Sequence, residues 1–182
     1  MQVVGPCELR PGSRGDHFTT LARAIVGQQV SAKAAEAIWQ RFLALHDDGL
    51  RVRPGDVLAM REHDMRASGL SAAKVASIRD LAAHVDDGRL KLRSLGRRDD
   101  ERIITELIQV RGIGRWTAEM FLLFKLGRPD VWPVTDLGIR NAVERHYRIA
   151  DPSRLAEVAE PWRPWRSVAS WYLWRSLQIE PV

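Results

Sequence analysis

A single cysteine, Cys7, stands among 182 residues. It excludes an internal disulfide and any all-cysteine zinc or iron–sulfur site within one chain. The five histidines (His17, His46, His63, His84, His146) are scattered without metal-ligand spacing, so each reads as a surface or core residue. No apolar run is long enough to cross a bilayer, and no signal peptide is visible. A cytoplasmic protein, or one associated with a nucleoid, fits these absences. No segment sustains the alternation of a strand, and neither an internal repeat nor a low-complexity tract occurs. The chain therefore reads as all-helical. Its acidic residues fall slightly short of its basic ones, 23 against 28, for a net charge of +5. That excess favours a polyanionic partner, yet alone it is weak evidence for DNA. With 45% apolar and 28% charged residues the composition is globular, and the length suits one domain or two small lobes.

Helical periodicity divides the chain. An irregular lead-in to Gly15 precedes a helix over Phe18 to Gln28. Ser31 caps a second, Ala32 to Leu45, with Ala35, Ile38, Trp39 and Phe42 inward. After a polar connector, short pieces are expected at Asp56 to Arg61 and Asp64 to Ala67, then a helix capped by Ser71 over Ala72 to Val85. A turn containing Leu90, Leu92 and Leu95 leads on. Near the C-terminus, Asp151 and Pro152 open a helix to Ala159, and Arg166 to Gln178 forms the last. Four of the seven tryptophans, Trp162, Trp165, Trp171 and Trp174, crowd this end. Tryptophan at helical spacing is usually core, but Trp171 and Trp174 lie off the main face and could line a cleft.

The most informative stretch runs from Leu107 to Arg140. Glu101 to Val110 carries apolar residues at helical spacing, Gly112 and Gly114 break the pattern, and Trp116 to Leu126 resumes it. Two helices joined by a tight Gly turn form a helix-hairpin-helix. Such a turn presents backbone N–H groups and the positive end of a helix dipole, which suit a phosphate oxygen. Arg111 and Arg115 add charge. A packing unit with Gly as C-cap is the plainer reading of G-x-G alone. Pro133 should hold the following connector extended, and Thr135 or Asp136 can cap the helix through Leu137, Ile139, Val143 and Tyr147. Asp136 lies 136 − 114 = 22 residues beyond the second turn glycine. The chain can therefore return it towards the turn, where a helix dipole favours a negative charge.

V-R-G-I-G-R-W-T-A followed by D-V-W-P-V-T-D-L-G-I resembles the helix-hairpin-helix DNA glycosylases, and within them the alkylbase (3-methyladenine) branch. The resemblance takes in the upstream A-R-A-I-V-G-Q-Q-V-S-A-K-A-A and the downstream P-W-R-P-W-R-S-V-A-S-W-Y-L-W, which is most of the chain. It implies one glycosylase domain over 1–182, with two helical lobes flanking a DNA-binding cleft. Residues 18–128 would form the middle lobe, and 1–17 with 129–182 the terminal lobe. Its partner would be double-stranded DNA carrying a damaged base, and the protein a monomer.

The resemblance also implies residue roles. Asp136 would be the catalytic carboxylate. Trp116 and Trp174 match aromatic pocket positions, Met120 stands where a relative has tyrosine, and Leu137 where an aromatic occurs. Gln28 or Gln29 would fill the gap left by a flipped base, with Gln29 at the matching position. Gly112, Gly114, Arg115 and Thr117 would hold a DNA phosphate; Arg111 replaces a proline. The backbone carbonyls of Ile108, Val110 and Ile113 match those that hold a structural monovalent cation, and no cofactor is implied for catalysis. Relatives that also nick the backbone carry lysine two residues after the second turn glycine, and this position is Trp116. Lys125, nine residues on, lies about 13.5 Å along the helix. A glycosylase without lyase activity is expected. The competing readings are a glycosylase for oxidised, deaminated or mismatched bases, and a non-catalytic helix-hairpin-helix module.

Overall fold

The computed structural model describes residues 4–10, 16–46 and 49–178. Among them there are helices and turns but no strand, as the periodicity requires. The expected irregular lead-in is seen at 4–10, while its remainder, 1–3 and 11–15, lies outside the described residues. So do Asp47 and Asp48 of the D-D-G turn. No helix among the described residues is long and apolar enough to cross a membrane.

The chain divides into two compact units, Ser13–Ala118 and Met1–Gly12 with Glu119–Val182. The first begins with α1 (His17–Gly27) and α2 (Ala32–Leu43), followed by α3 (Pro54–Ala59), α4 (Glu62–Ala67) and α5 (Ala72–Asp86). A 3-10 turn over Leu92–Arg97 precedes α6 (Asp100–Leu107). Side-chain caps fix the helix starts: Asp16 accepts the Thr19 N–H, Ser31 that of Ala34, Ser71 that of Lys74 and Asp99 that of Arg102. Each satisfies a donor the helix cannot. Around α5 pack α1, α3 and α4. Leu21, Ile25, Phe42, Met65, Ile78, Leu81, Leu95, Ile103 and Leu107 are wholly buried in the core.

The second hairpin helix, α7 (Arg115–Met120), runs without a break into a π-helical turn over Phe121–Leu126, and Gly127 ends it. The second unit continues with α8 (Leu137–Tyr147), a 3-10 turn at Pro152–Arg154, α9 (Leu155–Ala159) and α10 (Arg166–Ser176), which packs on α8. Its core is Trp132, Ile139, Ala142, Val143, Leu155, Ala159 and Leu173. The Tyr172 hydroxyl donates to the Gly5 carbonyl at 3.2 Å, tying the N-terminal segment to α10.

The last helix departs from its sequence pattern. Its most buried residues are Ser167, Ser170 and Leu173, while Trp165 is 60% exposed and none of Trp162, Trp165, Trp171 and Trp174 is buried. The buried tryptophans are instead Trp39 and Trp132. The reason is local hydrogen bonding. Ser167 Oγ donates to the Arg128 carbonyl at 2.6 Å and accepts the Val131 N–H at 3.0 Å, while its own N–H donates to the Pro129 carbonyl. Ser170 donates to the Arg166 carbonyl. Small satisfied side chains let the 128–131 connector pack against α10, so the indoles fall outside the seam.

Candidate active site

Asp136 is the N-cap of α8, with extended backbone. Its Oδ1 accepts the Ile139 N–H at 2.8 Å and the Trp174 Nε1–H at 2.7 Å. Two donors on one oxygen hold the carboxylate at the positive end of α8, and the carboxylate itself is half-buried. Thr135, the other candidate cap, is exposed and makes no such bond to α8.

Trp174 reaches Asp136 across Gly138. A Cβ at 138 would lie 2.9 Å from Trp174 Cδ1 and 3.1 Å from both Trp174 Nε1 and Asp136 Oδ1. Any side chain there would push the indole away from the carboxylate. Phe124 stacks on the same indole, with centroids 5.8 Å apart and planes 24° from parallel. Leu137, next to Asp136, is 68% exposed. Asp136, Gly138, Phe124 and Trp174 therefore form one constellation in the second unit. Gly138 and Phe124 were not anticipated from sequence. A glycine in the first turn of a helix is a legible sign of close approach. Phe124, inside a uniformly apolar helix, carries no such signal.

In the first unit the hairpin turn is bonded by Gln28 and Asp80 and packs closely on Ser77. Gly112 has φ +78°, and a Cβ there would sit 2.5 Å from Ser77 Oγ on α5. Both the backbone and the space demand glycine. One residue earlier, the Arg111 N–H donates to Asp80 Oδ2 at 2.7 Å. Gln28, just past α1, donates its amide to the Gly112 carbonyl at 2.8 Å and lies 3.4 Å from Thr117 Oγ1. Gly114 differs: a Cβ there would meet nothing within 4 Å, so the position opens outward. Ser77 and Asp80 had no sequence signal, because their partners lie more than thirty residues away.

The two glutamines thus part company. Gln28 is half-buried and bonded to the hairpin, whereas Gln29 is exposed with a left-handed φ of +56° at the tip of its turn. Thr117 is buried and faces Gln28. Arg115 pairs with Glu101 across the hairpin, with both side chains largely exposed. Such a pair is weak enough to exchange for another anion. Trp116 is exposed and Met120, four residues on along the same helix, is half-buried. The α6 helix ends at Leu107, so the carbonyls of Ile108, Val110 and Ile113 belong to the turn. Lys74, in the first turn of α5, donates to the Val26 carbonyl at 2.7 Å, and partial burial lowers its pKa. Among the described residues no three His, Cys, Asp or Glu side chains gather as a metal site.

A helix-hairpin-helix followed by a capped carboxylate matches a recognised class. Residues 22–166 fit the HhH-GPD superfamily of base excision DNA repair proteins, and the chain belongs to that family. DNA-3-methyladenine glycosylase 1 of Schizosaccharomyces pombe is 35% identical over 174 residues, covering 93% of this chain and 76% of that protein. The structure of the S. pombe 3-methyladenine DNA glycosylase in complex with abasic DNA superposes with a TM-score of 0.84 at 34% identity, over 98% of this chain and 89% of that one. A DNA-3-methyladenine glycosidase from Bacillus halodurans gives 0.83 at 34% identity, over 92% and 78%.

Proposed function

We propose that this chain is a DNA glycosylase that hydrolyses the N-glycosidic bond of alkylated bases of the 3-methyladenine type in double-stranded DNA, initiating base excision repair. The observation that carries the reading is the Asp136 carboxylate, fixed by the Ile139 N–H and the Trp174 indole N–H at the start of α8. The names of the three relatives given above, each a 3-methyladenine DNA glycosylase or glycosidase, support the substrate class.

The chemistry follows from the bond. Cleavage at a deoxyribose C1′ develops oxocarbenium character, by analogy with sugar hydrolysis. A preorganised carboxylate stabilises that charge and orients or deprotonates water. The target base is inaccessible inside a duplex and must be flipped into a pocket, where aromatic faces hold it. An alkylated base already carries positive charge. It stacks well through cation–π attraction and leaves without a strong general acid. The reaction needs no redox cofactor. Trp116, Met120, Leu137 and Trp174 are the residues we assign to the base pocket.

The hairpin supplies the grip on DNA. Gly114 leaves room for a strand, the first turn of α7 offers its N–H groups, and Arg115 adds charge. For Thr117, whose side chain is buried, only the backbone is available to a phosphate. Gln29 is the residue we assign to the gap opposite the flipped base. A structural monovalent cation would be held by the Ile108, Val110 and Ile113 carbonyls. The Val110 carbonyl accepts one N–H, from Ile113 at 3.0 Å, and its second lone pair suits a hard cation. The ends of the chain form the lobe that carries Asp136. We further read the protein as a monomer, cytoplasmic and associated with the nucleoid.

Duplexes each carrying one defined lesion test the substrate class. Release from alkylated purines, with none from uracil, 8-oxoguanine or mismatches, is the expected result. Release confined to an oxidised, deaminated or mismatched base would replace the substrate class. Salt-sensitive binding with no release at all would leave only a DNA-binding module.

A further inference from the structure

Resting on that reading of Asp136, we infer that Trp174 is a positioning residue for the catalytic carboxylate, acting through its indole N–H, and that Gly138 is required to let it do so. A wall that merely stacks on a base needs a ring face, not a nitrogen. Here the nitrogen is the part of Trp174 engaged with Asp136, at 2.7 Å.

Three independent features converge on that bond. The Cα of Gly138 lies where any Cβ would come within 3.1 Å of both Trp174 Nε1 and Asp136 Oδ1, so the bond exists only because that position is bare. Phe124 stacks on the indole and restricts its tilt. The Ile139 N–H binds the same Oδ1, so backbone and side chain together set two directions at one oxygen. The Trp174 bond adds a second fixed direction at that oxygen, and a carboxylate held in advance stabilises the developing charge with less reorganisation in the transition state. The ring also spans the distance from α10 to the start of α8, a link between two elements that no cap on α8 alone provides.

Single-turnover release of methylpurines from methylated duplex DNA separates this role from stacking. Trp174→Phe keeps an aromatic face and removes the donor. It should lower the release constant by roughly 10- to 100-fold, the worth of one charge-assisted hydrogen bond. Affinity for an abasic duplex should stay within about threefold, because the ring remains. Gly138→Ala leaves Trp174 intact and should lower release in the same direction. In an Asp136→Asn background, Trp174→Phe should change the residual release by less than about twofold, because the two act as a unit. Thermal unfolding is followed in parallel, and where Trp174→Phe melts early, Gly138→Ala decides. Wild-type release by either variant, or an effect of Trp174→Phe that persists undiminished without the carboxylate, overturns the inference and leaves Trp174 as a wall only. If Asp136→Asn itself releases bases normally, it is the assignment of Asp136 that fails.

Discussion

Asp136 and the two turn glycines show how much one residue's chemistry tells and where it stops. The cap was legible, because a carboxylate before a helical pattern has one common use. That it would also bind Trp174 was not, since the bond joins residues 174 − 136 = 38 apart and depends on a missing Cβ at Gly138. Gly112 and Gly114 look equivalent in sequence, yet only Gly112 is demanded by the fold. Gly112→Ala should destabilise the protein by about 1–3 kcal/mol, from a positive φ and an overlap with Ser77. Gly114→Val should leave the melting temperature almost unchanged and weaken binding to all duplexes alike, since phosphate contacts carry no sequence information. Paired melting curves and binding isotherms check this. Equal melting losses in both variants, or a loss by Gly114→Val confined to one sequence, would contradict it.

The starts of helices with a side-chain cap were legible at the element scale because caps are local, whereas the uncapped α3 and α4 begin at Pro54 and Glu62, two residues before the expected Asp56 and Asp64. The ends were less so: α2 stops at Leu43 rather than Leu45, and the helix after the hairpin turns π-helical from Phe121. What could not be read was which elements hold the hairpin. The bonds of Gln28 and Asp80 to the turn, and the close approach of Ser77 to Gly112, are long-range. Gln28→Ala should cost about 1 kcal/mol of stability and weaken DNA binding without changing the pattern of bases released. A changed dependence on the base opposite the lesion would mean that Gln28, not Gln29, meets the orphaned base.

The connector before α8 offers a pH test. Asp130 binds the Arg166 guanidinium at 2.6 and 2.9 Å and Arg163 at 3.1 Å, and hydrogen bonding from Arg166 holds its carboxyl below the usual carboxylate range. A depressed folded-state pKa gives stability that is present above the unfolded pKa, about 4, and lost as pH falls through the folded value. Asp130→Asn should therefore cost about 1–2 kcal/mol near neutrality and shrink the acid-induced loss of stability below about pH 4. A melting temperature that tracks the wild type at every pH would refute that ion pair's role.

At the scale of the whole molecule, the fold class and family were legible because helical periodicity, the G-x-G turn and the later Asp recur together along the chain. The tryptophan-rich end misled, because buried Ser167 and Ser170 define the seam of α10 and hydropathy cannot register serines satisfied by backbone carbonyls. The absence of lysine at position 116 bears on the reaction as a whole. An indole has no nucleophilic amine, so no Schiff base forms there and the abasic strand should stay intact. Borohydride during turnover should trap no covalent protein–DNA adduct. An adduct, or strand cleavage without added base or heat, would move the search to another amine.

The most direct measurement uses one duplex with a single alkylated purine and compares wild type with Asp136→Asn, following base release and abasic-duplex affinity together. Asp136→Asn should lose most base release while keeping most DNA binding. Release near the wild-type rate would contradict the assignment of Asp136 as the catalytic carboxylate.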